Sequence, residues 1–167
     1  MPMIDALGFT GSSDGGMPTP SQKAAIKRFI DKHRPMHVHH GDCINSDKYF
    51  HEVAQEWHDA FKVPIIHVHP PTIDKKRAFC VGDVNYNAAP YLKRNRHIVS
   101  MSDALLATPH GPEEVRSGTW ATIRYARKKG IPIYIIYPSG RVVAETGNAP
   151  GAALSGKIPL DSSRPGE

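Results

Sequence analysis

The residues best suited to chemistry fall in three places. Arg116-Ser117-Gly118-Thr119 opens a helical pattern, Gly11-Ser12-Ser13 closes an early apolar run, and Arg94-Asn95-Arg96 sits inside a further helical pattern. A helix start leaves backbone N–H groups without intrahelical acceptors and carries the positive end of the macrodipole, so it holds an anion readily. Gly118 lets that anion approach the backbone, Ser117 and Thr119 add hydroxyl donors, and Arg116 adds charge. Arginine forks match the oxygens of a phosphate. Arg94 and Arg96 are two apart and cannot share one helix face. One is expected at the ligand, the other against a carboxylate or an interface. Gly11-Ser12-Ser13 has neither dinucleotide-fingerprint nor Walker-loop spacing, and either meets phosphate or simply turns the chain. The chemistry predicted from these segments is recognition of a phosphate-bearing ligand.

Other polar residues extend that expectation. Asp42 and Asp47 follow a predicted strand beyond the turn at Gly41, where a carboxylate either meets ribose hydroxyls or caps the next helix. Lys76 and Arg77 lie in a long irregular stretch and are expected to reach inward over the ligand. Glu113 and Glu114 precede the Ser-Gly-Thr corner, as a general acid or base beside a glycosidic bond or, more plainly, as two exposed acids. His37 with His39, and His67 with His69, alternate along predicted strands. Each pair therefore shares a face, and neighbouring strands bring four imidazoles together. No HExxH or cysteine pattern accompanies them. The expectation is histidines lining a pocket, with His40 and His69 nearest the strand ends, and neither metal nor cofactor.

The elements that must position these groups follow from periodicity. Residues 4–10 form an apolar run, then a glycine-rich turn leads to Thr19-Pro20-Ser21-Gln22, a capping box with proline at the first helical position. The pattern continues as helix 21–33, strand 36–40, helix 47–61 and strand 63–68, the last rich in β-branched residues as a buried parallel strand should be. Residues 69–89 are rich in Pro, Asn, Asp and basic side chains and are expected to be a loop covering the ligand side. Helix 91–101, strand 104–108, a helix ending near Lys129 before Gly130, strand 131–137 and a small hairpin strand 141–145 complete the series. Strands alternating with helices predict a single Rossmann-like three-layer α/β/α domain over residues 1–145, with a mostly parallel sheet of five to six strands. Residues 146–167 are Gly/Pro/Ser-rich and predict a flexible tail or one laid on a neighbour.

Composition bounds the partners. The 167 residues suffice for one domain with a real core. The formal net charge of +5 favours anionic partners, although Arg124, Arg127, Lys128 and Lys129 also answer the dipole of the helix they end. No apolar run reaches the roughly 20 residues of a membrane span, and residues 1–14 lack the layout of a secretion signal. These features predict a cytoplasmic protein, with no membrane partner, in which Cys43 and Cys80 are reduced thiols. A sheet of this kind commonly buries a helix face in a homo-oligomer, so a dimer or larger assembly is expected.

With those residues in place, the chain resembles the SLOG superfamily of Rossmann-like domains, which includes DprA/Smf and the LOG phosphoribohydrolases. Arg94-Asn95-Arg96, Ile98-Val99, Asp103, Ser117-Gly118-Thr119, Thr122 and Ala126 are similar to the DprA pattern. Gly41 to Asp47 with His51 resembles its G-x-A-x-G-x-D…H segment, with Cys43 and Asn45 in place of small residues. The resemblance spans about residues 4–137. The LOG motif PGGxGTxxE ends in a glutamate whose position here holds Thr122, which argues against simple LOG chemistry. The resemblance implies a stand-alone domain that binds a nucleotide or nucleotide-derived molecule, of the kind proposed to sense or sequester signalling nucleotides in conflicts between bacteria and phages. Two alternatives follow from the same relatives: hydrolysis of an N-glycosidic bond, and DprA-like binding of single-stranded nucleic acid.

Overall fold

The structure, a computed structural model, describes residues 3–146 and 157–159. It is a three-layer α/β/α domain of Rossmann-like type. In chain order its elements are β1 (Ala6–Gly11), α1 (Pro20–His33), β2 (His37–His40), α2 (Ser46–Phe61), β3 (Ile65–Val68), β4 (Val84–Asn85), α3 (Tyr91–Ser100), β5 (Ala104–Thr108), α4 (Gly118–Lys129), β6 (Ile133–Ile136), β7 (Val142–Glu145) and β8 (Lys157–Pro159). The sheet order is β4-β3-β2-β1-β5-β6-β7-β8. Strands β4 through β6 in that order are parallel, while β7 and β8 add antiparallel at one edge.

The strand count exceeds the five to six expected, for two reasons. The stretch 69–89 contains the short strand β4, together with a single 3-10 turn at Asp74–Lys76 and bridges pairing Cys43 with Arg77 and Pro71 with Ala89. The segment beyond residue 145 contributes β8 on β7. The remainder of the expected tail lies outside the described residues.

Alternation along the strands divides the interior in two. Leu7, Phe9, Val38, Ile66, Val68, Ala104, Leu106, Tyr134 and Ile136 pack against Ala25, Ile26, Phe29 and Ile30 of α1 and Phe50, Val53 and Ala54 of α2. Leu105, Ala107, Ile133 and Ile135 face the other way, against Val99 of α3 and Trp120, Ile123 and Ala126 of α4. The first helix begins as the sequence requires: Gln22 N–H donates to Thr19 Oγ1 and Thr19 N–H to Gln22 Oε1, both at 3.0 Å. The Gln22 side chain is buried, and its amide donates to the carbonyls of Pro109 at 2.8 Å and Ile136 at 2.9 Å. One helix start is thereby fixed to the carboxyl ends of β5 and β6.

Phe50 is fully buried, and its ring stacks on Phe9 with centroids 4.3 Å apart. Phe50→Ala is expected to destabilise the domain by about 3–5 kcal/mol, the usual cost of emptying an aromatic site in a packed core. Equilibrium urea unfolding measures this, and a loss below about 1 kcal/mol would contradict the packing described.

Candidate functional site: the rim at the strand-order reversal

Strand order reverses between β1 and β5, with β2 to β4 on one side and β6 to β8 on the other. In such sheets ligands sit beyond the carboxyl ends at that reversal. The flanking turns are residues 12–19 after β1 and 109–117 after β5. They lie side by side. Gly11 is in register with Thr108, and a Cβ built on Gly15 would come within 3.0 Å of the His110 ring. Thr19 Oγ1 also donates to the Pro138 carbonyl at 2.6 Å, tying this rim to the end of β6.

The start of α4 is open. Ser117 caps it by accepting from Trp120 N–H at 3.2 Å. Gly118 and Thr119 occupy the first two helical positions, so their N–H groups have no intrahelical acceptor. A Cβ at Gly118 would meet nothing within 4 Å. Beside this corner runs a groove of about 650 Å³ whose lining includes His110, Glu113, Trp120, Tyr137, Pro138 and Arg141. The turns that carry Ser12, Ser13 and Ser117 lie at this end of the sheet together with exposed Gly118, while Thr119 is buried. Gly11 has a different reason to be glycine: its Cβ would lie 2.5 Å from Ser46 Cβ and 2.6 Å from Thr108 Oγ1. The close approach is to the start of α2. Thr108 Oγ1 is buried there without a hydrogen-bond partner among the described residues. Ser12 and Asn45 brace the first turn, Ser12 Oγ accepting from Gly15 N–H at 2.8 Å and the Asn45 amide donating to Ser13 O at 2.6 Å.

The other predicted ligand residues are engaged with the protein itself. Arg94 is buried, and its guanidinium donates to the carbonyls of Gly41 and of His69, the latter at 3.2 Å, and to Asn95 Oδ1 at 2.7 Å. It braces the ends of β2 and β3 rather than offering its fork to a phosphate. Asp42 is fully buried, and its carboxylate accepts from Arg77 Nε at 2.9 Å and Cys80 N–H at 2.8 Å. That removes both Asp42 and Arg77 from the ribose and phosphate roles expected of them. Lys76 pairs with the exposed Asp14, joining the 69–89 stretch to the turn after β1. Arg96 points into a separate groove on the side of α3, away from Gly118. Arg116 is exposed.

Asp47 is also buried. Its Oδ2 accepts from Cys43 N–H at 3.1 Å while Oδ1 has no partner among the described residues. Burial pushes its carboxyl up to about 6, against the opposing charge of Arg94. Glu113 accepts from Arg124 and Arg127 at 3.1 Å each, and Arg127 also holds Glu145 through two contacts of 2.8 Å. Although partial burial acts to raise its carboxyl, the hydrogen bonds from Arg127 and Arg124 prevail and hold it below the usual carboxylate range. Such an anion is a poor proton carrier; Glu113 instead ties the turn before α4 to that helix, and Glu145 ties the helix to β7. Glu114 is exposed.

Sequence alternation correctly brings the histidines together. His37 Nδ1 lies 2.9 Å from His67 Nε2, and His39 Nδ1 lies 2.9 Å from His69 Nε2. The His39 and His67 rings stack at 4.1 Å, and Tyr86 stacks on His69 at 4.2 Å while its hydroxyl meets His67 Nδ1 at 3.0 Å. On the other face, His40, His51 and Cys80 place one ligating atom each within 4.8 Å of one another. The wiring does not suit a metal. His40 Nδ1 accepts from Asp42 N–H at 3.0 Å, so a neutral ring carries its proton on Nε2, which lies 2.9 Å from His51 Nδ1. The nitrogen facing its neighbours is thus a donor, and the Asp42 N–H, His40 and His51 form a hydrogen-bonded chain. Burial, followed by neighbouring imidazoles, lowers His39 to about 3 and His69 to about 2. Burial likewise lowers His40, His51 and His67.

Two predictions follow from these buried charges. Arg94→Ala leaves the Gly41 and His69 carbonyls without their donor and Asp47 without its countercharge. It is expected to cost about 3–5 kcal/mol in urea unfolding, and a cost under about 1 kcal/mol would remove Arg94 as a brace. The histidines set the pH profile. Their folded pKa values lie below the unfolded value of about 6.5, so unfolding takes up protons below that pH. Stability should be complete above about pH 6.5 and fall progressively toward about pH 3. Asp47, with its pKa raised from 3.8 to about 6, acts in the opposite sense between those values and blunts the decline. A flat unfolding free energy between pH 7 and pH 4 would contradict this account.

No protein-family model and no curated protein sequence matches the chain. Among solved structures it is similar to the molybdenum cofactor binding protein from the phototrophic bacterium Rippkaea orientalis, with a TM-score of 0.57 and 17% sequence identity over 82% of this chain and 78% of that one. At that identity the likeness is one of fold.

Proposed function

We propose that this protein binds a phosphate-bearing nucleotide or nucleotide-derived small molecule at the rim between the turn after β1 and the start of α4, as a sensing or sequestering domain of SLOG type. The observation that carries this reading is the open corner at Gly118. Two backbone N–H groups without intrahelical acceptors stand at the strand-order reversal, with nothing within 4 Å of the Gly118 Cβ direction and a groove of about 650 Å³ alongside. The net charge of +5 favours an anion. The similar fold from Rippkaea orientalis is named for binding a cofactor, which lends support to a small-molecule ligand. No observation favours hydrolysis, since Glu113 is held by Arg124 and Arg127. The nucleic-acid reading rests on the resemblance to DprA and on net charge.

The test uses the free space at Gly118. Gly118→Val should fold normally, because a Cβ there meets nothing within 4 Å, yet obstruct a phosphate at the backbone. A thermal-shift panel of nucleotides, cyclic dinucleotides and ADP-ribose derivatives should yield a ligand that stabilises the wild type by about 2.7 kcal/mol at 100 times its dissociation constant. The variant should bind that ligand about tenfold more weakly or worse. A panel without a hit, or a hit with equal affinity for the variant, rejects this site.

A further inference from the structure

A second groove, of about 520 Å³, lies on the side of the domain between α3 and the segment just before it, with Tyr125 of α4 also in its lining. Lys93, Arg96 and His97 of α3 line it together with Tyr86 and Asn87, and no carboxylate is among its lining residues. Lys93 and Arg96 are three residues apart and so lie together on the exposed face of α3. Neither side chain makes an ion pair or hydrogen bond among the described residues. Two like charges left adjacent and uncompensated beside a concave surface define a receptor for an anion, and the arginine fork suits a phosphate.

The opposite wall is aromatic and already fixed. Tyr86 is held by its hydroxyl at 3.0 Å from His67 Nδ1, and its ring lies 4.2 Å from that of His69 at an interplanar angle of 10°. The His97 ring stands nearly perpendicular to both, at 89° to His69 and 81° to Tyr86. Behind this wall His69 is almost fully buried, with Nδ1 unpartnered among the described residues. A wall ordered before binding loses little side-chain freedom when a flat ring is laid against it. The volume falls within the range of about 300–1,000 Å³ usual for small-molecule sites.

We propose that this groove is a second, separate site for a phosphate monoester that carries a flat unsaturated ring, with Lys93 and Arg96 on the phosphate and Tyr86, His97 and Tyr125 around the ring. It is separate from the rim at Gly118: both touch α4, but the two grooves share no lining residue.

Adenosine monophosphate and inorganic phosphate are the probes. Titrated into isotope-labelled protein at constant ionic strength, adenosine monophosphate should shift the backbone resonances of Tyr86, Asn87, Lys93, Arg96 and His97. In Lys93→Glu/Arg96→Glu, changed only at exposed positions, those shifts should disappear and affinity at the groove should fall by about tenfold or more. Shifts at residues 117–119 report the rim separately, so either site can fail without the other. The absence of groove shifts in the wild type, their persistence in the double variant, or equal affinity for inorganic phosphate at the groove would each overturn the proposal.

Discussion

One buried guanidinium governs how this domain is closed. Arg94 comes from α3, yet its donors end on carbonyls at the tips of β2 and β3. A charge in that position must be satisfied in full, because leaving it partly bonded costs several kcal/mol. The surroundings comply: Asp47 supplies an opposite charge, and the Tyr91 ring lies 5.1 Å from the guanidinium carbon. Strand ends that would otherwise present free carbonyls to a ligand are thereby sealed from within. Asp42 and Arg77 repeat the same device a few residues further on, tying the 69–89 stretch to the turn after β2.

The carboxyl edge of the sheet consequently has two characters. On the β2 and β3 side, polar groups answer one another and little is left to meet a solute. On the β1 and β5 side, glycine and small hydroxyl residues leave backbone donors uncovered at the start of α4. The asymmetry coincides with the change in strand order, where two crossovers leave in opposite directions and the turns separate. The openness is a property of connectivity, and side-chain choice at residues 117–119 preserves it.

Much of this was legible in the sequence where the controlling forces are local. The Thr19 and Gln22 capping box depends on residues three apart, and alternation along short strands was enough to bring the four imidazoles of His37, His39, His67 and His69 together, although not to say which pairs with which. The roles of the charged residues were not legible. Whether Arg94 meets a phosphate or two carbonyls depends on where α3 lies relative to β2 and β3, a relation between segments tens of residues apart. Asp42 and Arg77 are likewise partners across 35 positions. Val84-Asn85 is too short to show any period, and Lys157–Pro159 lies in a stretch whose Gly/Pro/Ser composition masks a strand. The two acids before α4 had the right chemistry for catalysis, but Arg124 and Arg127, one and two turns into the helix, occupy Glu113.

The way the sheet ends has a consequence for the protein in a crowded solution. A long unpaired strand is a template on which other chains can grow by backbone pairing. Here one margin is β4, only two residues long, where the Asn85 side chain exchanges hydrogen bonds with the backbone of Gly82 at 2.9 and 3.0 Å. At the other margin β7 is taken up by β8, a three-residue segment from later in the same chain. Among the described residues neither border offers the five or six consecutive free positions that strand recruitment typically uses, which disfavours edge-to-edge pairing by geometry.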